Sequence, residues 1–375
     1  MANVFDYLKW RGDLTFAQDP PNAVDALIFS GLSYVRYGGQ VEADPGRPVP
    51  LTDAAETFFA LEDCESRVRV KNDMELLRAA AETVRFGQTR IVMYRDSLIP
   101  EQETQFAAMT FLLDDGTAFL AFRGTDHTLV GWKEDFNMTF QQTIPAQRLA
   151  LQYTRDVALE RSEPLRLGGH SKGGNLAVFA AARSSPMIQQ RIVEVYNNDG
   201  PGFTKYLMGD PGYLAMVPRI KTYIPQSSVI GMLLEHEEPY TVIHSKSVGL
   251  LQHDLYSWEV LGRAFLRVQE VTESSLFLDS TIKTWFAEMN NQERNQLVDV
   301  MFTLLGTGGV ESAIDIFHPR NIKTYVKTLS SDENMRRVLS TEFQSLLEAA
   351  KRTRVRFDEE KLLEEGSHET VHSAE

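Results

Sequence analysis

A serine flanked by glycines joins a short apolar run to an alanine-rich run with helical character. Gly169 to Gly173 spell the pattern G-x-S-x-G around Ser171. A nucleophilic serine at a strand-to-helix turn holds strained backbone angles, and small residues two positions away let the strand and the helix approach each other. The N-terminus of the following helix then points to the place where an oxyanion would form. The spacing therefore predicts that Ser171 is a nucleophile, with a glycine-rich structural turn as the alternative.

A serine nucleophile needs a base that takes its proton and a carboxylate that orients the base. In serine hydrolases built on parallel α/β sheets, these groups follow in the order serine, acid, histidine, each after a different strand. Asp199 comes soon after a predicted strand, Arg191–Tyr196, and precedes a glycine-proline turn. Because ligand-contacting residues of such sheets lie at the carboxyl ends of strands, Asp199 is the predicted acid. An ordinary turn aspartate is one alternative, and Asp210, farther from the strand end, is another.

The base must be a histidine that follows the acid. The histidines after Asp199 are His236, His244, His253, His318, His368 and His372. His253 is the predicted base because it lies in a loop after the last predicted strand, and functional residues concentrate in such loops. His244, at the end of an apolar run, is the alternative base, and Asp254 is an alternative orienting carboxylate. The glutamates around His236 predict a solvent-exposed loop.

Backbone groups near the serine could donate hydrogen bonds to an oxyanion. One is the N–H of Lys172, the residue after the nucleophile, and the second donor in this kind of site comes from a turn after an early strand. The predicted strand Thr117–Arg123 ends at Gly124, so Thr125 could offer both its N–H and its hydroxyl. This chemistry needs no metal and no organic cofactor.

Composition narrows the class of protein. The chain has 375 residues, of which 43% are hydrophobic and 24% charged, as in soluble globular proteins. A net charge of −14 argues against nucleic acid as a partner and gives no support for docking on anionic lipid. A single cysteine, Cys64, excludes an internal disulfide and suits a reducing compartment. The N-terminus lacks a signal-peptide pattern and no stretch is long and apolar enough to span a bilayer, so we expect a cytoplasmic protein without a membrane anchor. Its oligomeric state is left open.

Hydrophobic patterns of period two alternate with helical patterns through the middle of the chain. Residues 1–85 indicate an N-terminal helical segment, residues 86–260 a core of alternating strands and helices, residues 261–357 a C-terminal helical region, and residues 358–375 a polar acidic tail. The alternation predicts an α/β fold with a mostly parallel sheet that helices cover on both faces. The predicted strands are Arg90–Arg95, Thr104–Leu112, Thr117–Arg123, Pro164–Leu167, Arg191–Tyr196, Arg219–Ile224 and Tyr240–His244. The predicted helices are Val4–Lys9, Ala23–Tyr37, Leu51–Leu61, Asp73–Phe86, Pro145–Arg161, Gly173–Arg183, Ile282–Glu288, Gln292–Leu305 and Asp332–Arg352.

Several motifs together resemble those of the class 3 (fungal triacylglycerol-type) lipases, over roughly residues 85–260. These motifs are Phe122-Arg123-Gly124-Thr125 followed by Trp132 and Asp135, the G-H-S-K-G-G run around Ser171, and the D-G-P-G-F turn at Asp199. More closely, the chain resembles a bacterial family of lipase-like α/β-hydrolase proteins of unknown function. The features shared with that group are Gln252-His253-Asp254 with Trp258, and Trp10-Arg11-Gly12-Asp13.

The resemblance implies an α/β-hydrolase fold with Ser171 as nucleophile, Asp199 as acid, His253 as base and Thr125 as an oxyanion donor. The chain departs from the secreted lipases because it has no signal-peptide pattern, carries Lys172 after the serine and adds a C-terminal helical region. Residues 126–132 occupy the place of the lipase lid. Two interpretations of this segment are left, a mobile lid and a packed surface loop.

Together these observations predict a serine hydrolase that cleaves a small-molecule carboxylic ester or thioester through an acyl-enzyme. One alternative is a catalytically silent hydrolase fold that serves as a binding scaffold. Another is a serine peptidase on the same fold, for which the sequence offers no acid-binding signal.

Overall fold

In the described residues, eight strands form one sheet at the centre of the unit Met1–Val271, and the remainder, Thr272–Glu375, clusters as a second compact unit. This computed structural model describes residues 2–39, 41, 44, 46–126, 128–307 and 319–372, and for residues 102 and 360–372 it describes the backbone alone. Some histidines therefore lie outside the described residues or have side chains outside the description: His127, His318, His368 and His372.

The strands lie side by side in chain order. Their bounds are β1 Val49–Pro50, β2 Arg90–Ile99, β3 Thr104–Leu112, β4 Ala118–Phe122, β5 Leu165–His170, β6 Ile192–Asn198, β7 Ile220–Pro225 and β8 Tyr240–Ile243. Strands β1 to β4 pair antiparallel, and β4 to β8 pair parallel. The parallel half brings the carboxyl ends of β4 to β8 to one edge, where ligand-contacting residues of such sheets lie.

Helices cover both faces of this sheet. In the first unit they are α1 Val4–Arg11, α2 Ala23–Leu32, α3 Leu51–Phe59, α4 Lys71–Ala81, α5 Val84–Gly87, α6 Leu129–Asn137, α7 Pro145–Glu160, α8 Lys172–Arg183, α9 Pro186–Gln189 and α10 Pro211–Met216. Alternate residues of β4 point into different cores: Phe119 packs with the N-terminal helices, whereas Leu120 and Phe122 pack with α7 and α8. The predicted mostly parallel sheet with helices on both faces is confirmed.

Several element boundaries differ from the predicted ones. Helix α2 ends at Leu32 and not near Tyr37, and the predicted helix Asp73–Phe86 is divided into α4 and α5. Within residues 126–132, predicted as a lid or surface loop, α6 begins at Leu129, and the Thr128 hydroxyl caps it by accepting the Gly131 N–H at 3.2 Å. A side-chain cap of this kind stabilises a helix start.

The second unit is helical where it is described. Its helices are α11 Glu273–Glu288, α12 Asn291–Gly306, α13 Pro319–Ser331 and α14 Glu333–His372. Helices α11 and α12 pack against α14, which continues to His372 through most of the predicted polar tail. The chain divides at Val271, and not at the predicted residue 260, because two short strands, β9 Val260–Leu261 and β10 Ala264–Phe265, stay with the first unit. None of the helices in the described part of the chain has the length and hydrophobicity needed to cross a bilayer.

Candidate active site

Ser171 stands on a sharp turn between β5 and α8. Its backbone has φ 59° and ψ −134°, outside the regions that residues with side chains prefer. A Cβ atom at Gly169 would collide with the backbone of Gly173, and one at Gly173 would collide with the backbone of Phe122. The glycines of the G-x-S-x-G pattern are therefore required by the close approach of the helix to the sheet, and Ser171 remains half-buried at the edge of the sheet.

A buried carboxylate holds the imidazole of His253. The His253 Nδ1 lies 2.7 Å from Asp199 Oδ2, and the Asp199 side chain is fully buried while 27% of the His253 side-chain surface is exposed. Asp199 follows β6 with φ 54°, a left-handed conformation that turns the chain at the strand end. Its other oxygen, Oδ1, accepts the Ser228 hydroxyl at 2.5 Å and the Gly231 N–H at 3.2 Å. These contacts leave Nε2 of His253 as the nitrogen that could exchange a proton.

His170, next to Ser171, connects the serine turn to His253. Its Nε2 lies 2.8 Å from the His253 carbonyl oxygen, and the ring centroids of His170 and His253 are 4.6 Å apart. Since burial lowers the pKa of His170 well below its usual value, the ring is neutral. The carbonyl can only accept, so Nε2 carries the proton, and Nδ1 accepts the Tyr34 hydroxyl at 2.9 Å. The hydrogen bonds of the described residues include none between Ser171 and His253 themselves.

The side chain of Lys172 is part of a buried charge cluster. Its Nζ lies 2.9 Å from Glu134 Oε2, 3.2 Å from the Gln105 carbonyl and 3.7 Å from Asp135 Oδ1. Burial lowers the pKa of Lys172, but the adjacent carboxylates outweigh that effect and keep it above its usual value, so the ammonium is charged. The backbone N–H of Lys172 begins α8 and has no partner within the helix, which leaves it available at the serine.

Thr125 lies in the turn that packs against the serine. A Cβ atom at Gly124, the preceding residue, would lie 3.3 Å from the Ser171 Cβ. The Thr125 hydroxyl donates to Asp135 Oδ2 at 2.5 Å, so this hydroxyl is bonded to α6, the helix that follows its own turn. Burial raises the pKa of Asp135 to about 6, although Lys172 and the Thr125 bond act in the opposite direction. The Thr125 N–H is therefore the group of this residue that is left to face a ligand.

The alternative acids and bases have other contacts. Asp210 caps α10 by accepting the Gly212 N–H at 2.9 Å and pairs with Arg183 at 2.6 Å. His244 Nδ1 lies 2.8 Å from Glu259 Oε2. The Asp254 carboxylate accepts the Tyr256 N–H at 3.3 Å, in a local cap.

The prediction for His236 is wrong, because only 8% of its side-chain surface is exposed. Its glutamate neighbours suggested a solvated loop, but one of them, Glu238, is itself fully buried against it. No local pattern in the sequence marks this pair. Among the described residues, no group of three or more histidine, cysteine, aspartate or glutamate side chains could hold a metal ion.

The sheet order, the helices on both faces and the serine turn after β5 define an α/β-hydrolase fold. A family model described as Mbeg1-like matches residues 80–303, more than half of the chain, and the chain belongs to this lipase-like family. The family match confirms the lipase-like resemblance that the motifs predict.

Some solved structures are similar to this chain at low identity. A mutant form of MDLA from Penicillium cyclopium is 14% identical, with a TM-score of 0.36 over 65% of this chain and 83% of that one. A fungal lipase is 11% identical, with a TM-score of 0.38 over 66% and 84% of the two chains. A Rhizomucor miehei lipase propeptide complex is 13% identical, with a TM-score of 0.34 over 61% and 88%. No curated protein matches the chain.

Proposed function

We propose that the protein is a serine hydrolase that cleaves carboxylic esters or thioesters of small molecules through an acyl-enzyme. The observation that carries this proposal is the 2.7 Å contact between His253 Nδ1 and the fully buried Asp199 carboxylate, beside a serine held in strained backbone geometry. Strain and burial of this kind cost free energy and persist where function requires them. A binding scaffold would need neither the strained serine nor the oriented imidazole.

In the proposed reaction, the Ser171 Oγ attacks the acyl carbon while His253 Nε2 takes its proton. The resulting imidazolium then donates that proton to the leaving alcohol or thiol as the bond to the acyl carbon breaks. Water, deprotonated by the same imidazole, attacks the acyl-enzyme, and the proton returns to Ser171 Oγ as the acid product leaves. Asp199 stays ionised, keeps the proton of His253 on Nδ1 and stabilises the imidazolium in both halves of the reaction.

The oxyanion donors that we propose are the backbone N–H groups of Lys172 and Thr125. The first begins α8, whose dipole favours negative charge at this end. The second belongs to the turn that packs against Ser171. We assign the Thr125 hydroxyl a supporting role, because it donates to Asp135 and so fixes the turn that presents the N–H.

We propose a cytoplasmic location, since the free Cys64 suits a reducing compartment.

Labelling with a fluorophosphonate probe tests the proposal. The wild-type protein should be labelled at Ser171, and Ser171→Ala should abolish both labelling and hydrolysis of a graded panel of acyl esters and thioesters. Ser185→Ala is the matched control, because Ser185 is an exposed serine whose side chain makes no cap bond to α9. A folded wild-type protein that neither reacts with the probe nor turns over any member of the panel would refute the proposal.

A further inference from the structure

A buried imidazole–carboxylate pair lies outside the proposed triad, in the segment after β7. The Glu238 side chain is fully buried and accepts the Tyr213 hydroxyl at 2.6 Å, the Thr222 hydroxyl at 2.6 Å and His236 Nδ1 at 3.2 Å. The second ring nitrogen, His236 Nε2, lies 3.0 Å from the Gly231 carbonyl oxygen. The proposed mechanism gives His236 and Glu238 no role, so the burial of this pair needs a separate explanation.

Glu238 and Gly231 hold the His236 ring in place. Burial raises the pKa of Glu238, but the bonds from His236, Thr222 and Tyr213 outweigh that effect and hold the pKa below its usual value, so the carboxylate is ionised. A backbone carbonyl can only accept a hydrogen bond, so His236 Nε2 donates to the Gly231 oxygen. The ring is therefore fixed between a buried carboxylate on one side and the backbone of Gly231 on the other.

The chain of contacts continues from His236 to the proposed acid. Gly231 accepts from His236 through its carbonyl and donates through its N–H to Asp199 Oδ1 at 3.2 Å. A Cβ atom at residue 231 would collide with Asp199 Oδ1, so only glycine allows this approach. The same N–H lies 3.0 Å from Ser228 Oγ, so Ser228 and Asp199 share it. Glycine is also the residue whose backbone is freest to rotate, so the position of Gly231 depends on contacts with other segments. The hydrogen bond from His236 Nε2 restrains the Gly231 carbonyl.

We infer that His236 is a positioning residue for catalysis. Held by Glu238, it fixes Gly231, and Gly231 together with Ser228 fixes the Asp199 carboxylate that orients His253. The inference rests on the proposed function only in naming Asp199 as the acid of the triad. Loss of the restraint would let the carboxylate rotate away from His253 Nδ1, and catalytic groups lose rate when their supporting contacts are removed.

His236→Gln in the full chain tests the inference by kinetics. We expect kcat on the best ester of the panel to fall about ten- to a hundred-fold, as for other residues that orient a functional side chain, with KM unchanged. In an Asp199→Asn background the same change should cost nothing further, because two changes that act through one group are not additive. Glu238→Gln, which keeps the side-chain shape, should also lower kcat. This variant replaces His236→Gln in the test if His236→Gln does not fold.

A spectroscopic readout tests the inference independently of hydrolysis. A proton on His253 Nδ1 that is bonded to a carboxylate gives a low-field proton resonance, which should shift or broaden in His236→Gln while the circular dichroism spectrum is unchanged. His244→Gln is the matched control, because His244 also pairs with a buried glutamate, Glu259, but has no hydrogen bond to Gly231 or Asp199 among the described residues. The control should leave the resonance in place.

The two experiments separate the inference from the proposed function. A protein that hydrolyses no ester but shows the shifted resonance in His236→Gln loses the proposed function and keeps the inference about the Asp199 orientation. Wild-type resonance and wild-type kcat in folded His236→Gln and Glu238→Gln would overturn the inference. Equal losses of kcat in the wild-type and Asp199→Asn backgrounds would also overturn it, because His236 would then act independently of Asp199.

Discussion

Replacing Lys172 by methionine should destabilise the first unit, because it leaves the buried carboxylate of Glu134 without its positively charged partner. Glu134 is fully buried, and its oxygens accept the Gln105 N–H at 3.1 Å, the Ala146 N–H at 3.0 Å and the Lys172 ammonium at 2.9 Å. Methionine fills the volume of the lysine stem but supplies no charge. Removing one partner of a buried ion pair costs about 3–5 kcal/mol, so we expect Lys172→Met to lower the free energy of unfolding by that amount.

A second substitution should recover part of this loss. Glu134→Gln in the Lys172→Met background removes the stranded charge, but glutamine offers one oxygen to two backbone donors. One of the N–H groups of Gln105 and Ala146 then lacks an acceptor, at a cost of about 1–3 kcal/mol. The double variant should therefore be more stable than Lys172→Met and less stable than the wild type.

The assay is urea denaturation followed by the tryptophan fluorescence of the first unit, which contains the fully buried Trp258 together with the exposed Trp10 and Trp132. A Trp285→Phe background removes the signal of a tryptophan in the second unit. Lys221→Met is the matched control, because Lys221 pairs with Glu194 while 44% of its side-chain surface is exposed, and such pairs contribute about 0–1 kcal/mol. A loss below about 1 kcal/mol for Lys172→Met, or a double variant less stable than the single one, would refute the reasoning.

Other predictions concern the remaining site residues. Thr125→Val removes the bond to Asp135 and keeps the backbone N–H, so turnover per folded molecule should fall on the order of ten-fold at constant KM; unchanged turnover with lower stability would leave Thr125 a purely structural role. His253→Ala should reduce ester hydrolysis by several orders of magnitude, about as much as Ser171→Ala, whereas His244→Ala should retain most activity; the reverse result would make His244 the base. Because burial raises the pKa of Asp135 to about 6 from an unfolded value of 3.8, the folded protein holds a proton between these values that the unfolded chain has lost. The contribution of this group to stability should therefore decrease as the pH rises through that window, and Asp135→Asn should remove that slope in denaturation curves measured from pH 4 to pH 7.

Local rules were enough to predict the strand-to-helix turn at Ser171 and the elements around it. The G-x-S-x-G spacing at Ser171 reports a steric requirement between residues two positions apart, so the sequence contains the whole constraint. Strand β3, Thr104–Leu112, has the predicted bounds because a hairpin turn and a strong β pattern define it locally. The chain order of serine, acid and histidine also directed attention to Asp199 and His253, 54 positions apart, although their contact exists only in the folded chain.

The tertiary structure decided which charged and polar groups are buried and what each of them contacts. The glutamates near His236 predicted a solvated loop, yet Tyr213 and Thr222 lie over Glu238 and make the site an interior one. Glu134, the partner of Lys172, is 38 positions away in the sequence, and no local pattern connects the two. Burial and hydrogen-bond partners depend on segments that meet only after the sheet has formed, and so the pKa shifts of Lys172, Glu238 and Asp135 follow from the fold and not from their neighbours in sequence.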